Sequence, residues 1–134
     1  MLENTTNIKV RYAETDQMGI VNNAIYPIWF EIGRTELFDE LQLPYSEMEK
    51  QGIMLPLSEL HVKYHSPAYY GQTVNITTKV KEMPGVRITF DYEITHKGIL
   101  IATGQSTQAF VNAATLRPMR IPKELKESLQ KYFN

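Results

Sequence analysis

RYAETDQMGIVNNAIYPIWFEIGR, residues 11–34, contains the change of periodicity on which the fold turns. Just before and into it, Ile8, Val10 and Tyr12 alternate with Lys9 and Arg11. This is the period of a strand with one buried face, ending near Tyr12. Residues 16–21 then read as a loop with one acid, Asp16, and one glycine, Gly19. Beyond it Tyr26, Trp29, Phe30, Gly33, Leu37, Phe38 and Leu41 recur at helical spacing and make one broad apolar face. Pro27 suits a first turn, where its missing N–H bonds nothing, so the helix is expected to start near Asn23 or Ala24. Glu31 and Arg34 lie off the apolar face, and their i, i+3 spacing predicts a surface ion pair.

Outward from that stretch, a short helix is predicted over 44–51, with Ser46 and Glu49 at capping-box spacing and Gly52 to end it. Four strands follow, over 55–64, 73–81, 86–95 and 99–112. In the clearest, Val86, Ile88, Phe90, Tyr92 and Ile94 alternate with polar residues. Turn signals at Met83-Pro84-Gly85 and His96-Lys97-Gly98 imply short connections and antiparallel neighbours. The run from Ile99 to Ala102 reads as buried on both sides. Pro122 opens a last helix over 123–132 with Leu125, Leu129 and Phe133 inward. A strand, one long helix and a run of antiparallel strands make an α+β layout, here expected as one domain over 1–134.

Composition narrows the function classes. A hydrophobic fraction of 43% is enough for a core and argues against disorder. With 14 basic and 15 acidic side chains the net charge is −1, so no nucleic-acid surface is expected. Without cysteine there is no disulfide framework, thiolate nucleophile or zinc–thiolate site, which fits a cytoplasmic protein. The opening M-L-E-N-T-T-N lacks the basic region and apolar run of a signal peptide, and no apolar run approaches a membrane span.

The chemistry centres on the loop. It brings Asp16 close to the amino end of a helix, where free N–H groups can polarise a carbonyl or hold an oxyanion. Aspartate is also a common turn residue at such a place. Gly19 serves either a close backbone approach to substrate or a positive-φ turn. The amides of Asn22 and Asn23 are the expected donors, although either asparagine could be only a helix cap. Tyr26, Trp29 and Phe30 line an apolar pocket or simply fill the core. His61, His65 and His96 have no metal-ligand spacing with carboxylates, so no metal is expected. Arg87, Lys97, Arg117 and Arg120 are the basic residues that could meet phosphates.

E-T-D-x-M-G-x-V, then Tyr26, then W-F-E-x-x-R resembles the signature of the 4-hydroxybenzoyl-CoA thioesterase-like branch of the hot-dog-fold acyl-CoA thioesterases. Tyr64-His65-Ser66-Pro67-Ala68 with Gly71 resembles that family's Y-x-x-P-A-x-x-G segment, and residues 98–104 its late strand. The resemblance implies a curved antiparallel sheet wrapped round one long central helix. It implies hydrolysis of acyl-CoA to a carboxylic acid and free coenzyme A, with no cofactor. Asp16 would be the nucleophile or general base, and the carbonyl-polarising amide falls at Asn23. His65 and Ser66 would border the site. It also implies a homodimer or homotetramer with the site at a subunit boundary. Two related functions stay open: a thioesterase for acyl groups on a carrier protein, and a non-catalytic acyl-CoA-binding protein. Many relatives read G-V-V-Y-H-x-N-Y where this chain reads G-I-V-N-N-A-I-Y, which puts Asn23 in place of a histidine.

Overall fold

Strand β1 (Leu2–Lys9) begins the chain in the computed structural model, which describes residues 1–133. Its inward positions after Leu2 are Asn4, Thr6 and Ile8, so half of its buried register is polar. That polarity hid the strand's first residues from a hydrophobic-periodicity reading. The strand also stops at Lys9 rather than near Tyr12. Val10 keeps its inward position, but Tyr12–Glu14 is a 3₁₀ turn and Tyr12 is exposed.

A second 3₁₀ turn, Asn23–Ile25, leads into α1 (Tyr26–Glu40), with Pro27 in the first helical turn. The helical segment therefore starts at Asn23, as its proline implied. Tyr26, Trp29, Phe30, Gly33, Leu37 and Phe38 are buried along one face. The short α2 (Tyr45–Lys50) follows, then β2 (Ile53–Met54), β3 (Leu57–Tyr64), β4 (Thr73–Val80), β5 (Arg87–His96), β6 (Ile99–Ala109), β7 (Val111–Asn112) and α3 (Lys123–Leu129). Pro44 holds the cap position of α2, and its first turn has no side-chain cap; the expected Ser46–Glu49 box does not form.

The main sheet has the order β1-β4-β5-β6-β3, every neighbour antiparallel, and β2 pairs with β7 in a separate two-stranded ribbon. The α+β expectation holds. The strand expected over 55–64 starts only at Leu57, after a break at residues 55 and 56 that parts β3 from β2, and Phe110 divides the strand expected over 99–112 into β6 and β7. Proline cannot donate to a ladder, so a break at Pro56 follows from its chemistry. Ile99 is exposed, so the Ile99-to-Ala102 run is not buried throughout. Ile101 and Ala102 are both buried because the register slips there: Ile94 pairs with Ala102 but Thr95 with Leu100, which leaves Ile101 as the extra residue of a bulge.

α1 packs on β1, β4 and β5. Two glycines let backbone and ring approach closely. A methyl at Gly33 would strike the Thr78 side chain, and one at Gly104 would strike the Phe30 ring. Phe30 in turn stacks on Tyr92, ring centroids 4.2 Å apart. The helix does not cover β3, whose Leu57, Leu60 and Tyr64 remain exposed in the single chain.

Candidate active site

The acid loop is a tight closed turn. Thr15 bridges Val21 across it, the Asp16 N–H donates to the Ile20 carbonyl at 2.9 Å, and the Gly19 N–H donates back to the Asp16 carbonyl at 3.0 Å. Gly19 takes a φ of +77°, which favours glycine, and nothing lies within reach of a Cβ there. The turn reading of Gly19 is thus met, and the space beside it stays open.

Asp16 is exposed, and one of its oxygens is fixed. Oδ1 accepts the Met18 N–H at 2.8 Å and the Ile20 N–H at 3.1 Å. Among the described residues Oδ2 has no hydrogen-bond partner. Asp16 is therefore a turn residue by one oxygen while the other stays available for chemistry.

Across the loop the two asparagines separate in role. The Asn22 N–H is spent on the Glu14 carbonyl at 2.9 Å, so it is not a free donor as expected. Asn22 Oδ1 caps the turn by accepting the Ala24 N–H at 2.9 Å. Among the described residues the Asn23 N–H meets no acceptor. It is the free amide at the head of the helical segment.

A cleft of ≈ 250 Å³ opens beside this point, lined by Ile20, Val21, Asn23, Tyr26, Tyr64, His65, Ser66 and Pro67. Four of the nominated residues, Asn23, Tyr26, His65 and Ser66, thus come together. Asp16, Gly19 and Asn22 are not among its walls. The β6 bulge sets the far wall, since the Ile101 carbonyl accepts both the His65 N–H at 2.8 Å and the Ser66 N–H at 3.1 Å. His65 Nε2 lies 3.1 Å from Thr103 Oγ1. Burial holds the Tyr26 phenol above its usual range; the Ala68 amide opposes this, and neighbouring Tyr64 adds to it. Tyr64 escaped the sequence reading as a wall. Its hydroxyl donates to the Asn23 carbonyl at 3.0 Å and its ring meets Tyr26 edge-on at 5.2 Å. Its only sequence signal was its place at the head of the Y-x-x-P-A segment.

Trp29 and Phe30 are fully buried and belong to the core rather than to this cleft. Arg34 does not pair with Glu31. Its guanidinium donates to the Tyr92 hydroxyl at 2.9 Å, and that hydroxyl also meets Ser106 Oγ. Burial pushes the Tyr45 phenol up to about 12 against the opposing pull of Arg34. Arg87, Lys97, Arg117 and Arg120 are exposed, and none lines the cleft. Among the described residues no three His, Cys, Asp or Glu side chains group as metal ligands, and no helix is long and apolar enough to cross a membrane.

An antiparallel sheet packed on one long helix is the layout of the hot-dog class of thioesterase-like folds. Comparison with known proteins agrees. The family model of the thioesterase-like superfamily matches residues 10–129. The putative acyl-CoA thioesterase YneP of Bacillus subtilis is 38% identical over 117 residues, 87% of this chain and 85% of that protein. The acyl-acyl carrier protein thioesterase ATL3 of Arabidopsis thaliana, a chloroplast protein, is 32% identical over 89% of this chain and 63% of its own. The solved DHNA-CoA thioesterase of Staphylococcus aureus superposes with a TM-score of 0.92 at 34% identity, covering 98% of this chain and 91% of that one. The chain belongs to the thioesterase-like superfamily.

Proposed function

We propose that this thioester hydrolase acts on acyl-CoA, releasing a carboxylic acid and coenzyme A, with Asp16 supplying the attack. The observation that carries this assignment is the split use of the Asp16 carboxylate. Two backbone amides lock Oδ1, so Oδ2 is held in one place and, among the described residues, has no partner. Such a preset oxygen suits a nucleophile that forms a mixed anhydride, or a base that takes a proton from water. The thiolate leaves easily, so the remaining task is to stabilise the oxyanion. The Asn23 N–H is the donor we assign to it. A backbone amide does that work whichever side chain it carries, so asparagine in place of histidine is compatible with catalysis.

Tyr26, Tyr64, His65 and Ser66 border the acyl group or the pantetheine arm in this scheme. Because Asp16 is not a wall of that cleft in the single chain, we assign the missing wall to a second copy. The uncovered face of β3 supports that assignment. We place the reaction in the cytoplasm.

Thiol release across a panel of acyl-CoAs tests the activity. Asp16→Ala is expected to lower turnover about a hundredfold or more; unchanged turnover would remove Asp16 from the mechanism. Similarity to a carrier-protein thioesterase favours one second reading, hydrolysis of acyl groups on a carrier protein. Adding the matching acyl-carrier substrate to the panel separates the two, since the faster substrate names the thiol partner.

A further inference from the structure

Glu14 sits two residues before Asp16 and is only 4% exposed. A buried carboxylate is costly unless several donors meet it. Three do. The Arg11 N–H reaches Oε1 at 2.8 Å, the Trp29 indole N–H reaches Oε2 at 2.9 Å, and the Arg11 guanidinium lies 3.4 Å from Oε2. The donors come from two separate elements. Arg11 precedes the 3₁₀ turn, whereas Trp29 lies in the first turns of α1.

The backbone of the same residue ties down the other side of the loop, because its carbonyl accepts the Asn22 N–H at 2.9 Å. Glu14 thus touches Arg11 just beyond β1, the helix and the residue just before the free Asn23 amide. Between these anchors lies the closed turn that carries Asp16. Among the described residues no other side chain of the loop bonds to both α1 and Arg11.

We propose that Glu14 is a positioning residue: its buried carboxylate, bridging the Arg11 amide and the Trp29 indole, sets the separation between the Asp16 turn and the Asn23 N–H. Burial alone would raise its pKa, but the Arg11 amide, the Trp29 indole and the Arg11 guanidinium outweigh burial and hold the carboxyl below its usual range. It stays ionised at neutral pH and is not a proton donor in the reaction. Glutamine cannot substitute fully, since an amide nitrogen aimed at the indole N–H sets donor against donor. The catalytic consequence rests on the Asp16 and Asn23 assignment above; the geometric one does not.

The test uses the intact enzyme with Glu14→Gln, Trp29→Phe and the double variant. Two readouts are taken: steady-state kinetics on an acyl-CoA that the wild type hydrolyses, and the amide NMR shifts of Met18, Ile20 and Asn23. Displacing a reacting group by about 1 Å costs on the order of a hundredfold. Both single variants are expected to lower kcat by about tenfold to a hundredfold, with KM within about twofold. The double variant is expected to lose no more than the worse single one, because both remove the same bridge. The three amide shifts are expected to move together. Unmoved amide shifts, or wild-type kcat in either folded variant, overturn the proposal. If Glu14→Gln does not fold, Trp29→Phe decides by the same two readouts. Full activity of Asp16→Asn alongside moved amide shifts would defeat the assignment of Asp16 as the attacking group and leave the bridge standing.

Discussion

Glu14 and Asp16 carry the same charge two residues apart and are solvated in opposite ways. Asp16 faces water and is steadied by two amides of its own turn. Glu14 is buried and steadied by groups from its neighbours. The difference has a pH signature. Because the folded state holds Glu14 below the ordinary carboxylate range, it binds that proton less tightly than the unfolded chain does. The resulting stability is complete above the unfolded carboxylate pKa and is lost as pH falls through the lower folded value. The melting temperature is expected to be flat near neutrality and to drop in acid. Glu14→Gln should melt lower near pH 7 and show a shallower acid decline; an acid limb identical to wild type would mean that Glu14 gains nothing from its donors. Neither role shows in residue spacing. Asp16 could be nominated from its loop, but the Glu14–Trp29 contact joins positions fifteen apart through a chain reversal that no periodicity encodes. Arg34 was expected to pair with Glu31 and does not, for a related reason: only the fold brings Tyr92 beneath it.

Among the elements, α1 and β5 were the most legible, because each runs one period without interruption over a fully apolar face. β1 was harder, since Asn4 and Thr6 take inward positions. β6 misled at Ile99, which is exposed, while the consecutive burial of Ile101 and Ala102 comes from a bulge. The contact between α1 and the sheet offers a direct test of packing. Gly104 leaves room for Phe30, and a Cβ there would also lie 2.9 Å from the His61 carbonyl oxygen. Overpacking of this kind costs about 1–3 kcal/mol. Gly104→Ala is expected to lower the urea midpoint accordingly, and an unchanged midpoint would show that Phe30 moves aside freely. The cleft depends on the same region, because the carbonyl of the bulge residue holds His65 and Ser66.

At the scale of the whole molecule, the five-stranded sheet is wider than the three strands on which the helix packs. α1 packs over β1, β4 and β5, while edge strand β3 shows Leu57, Leu60 and Tyr64 to solvent. An open, apolar edge strand invites pairing with another chain. Light scattering at micromolar concentration is expected to give a dimer or a multiple of it. A monomer would remove the second copy from the site and leave Asp16 without a wall opposite it. The decisive measurement is thiol release by Asp16→Asn at saturating acyl-CoA, with calorimetry to check that the variant still binds substrate. Intact binding with turnover lowered about a hundredfold or more is the expected result. Wild-type turnover in that variant would contradict the assignment of Asp16 as the attacking carboxylate.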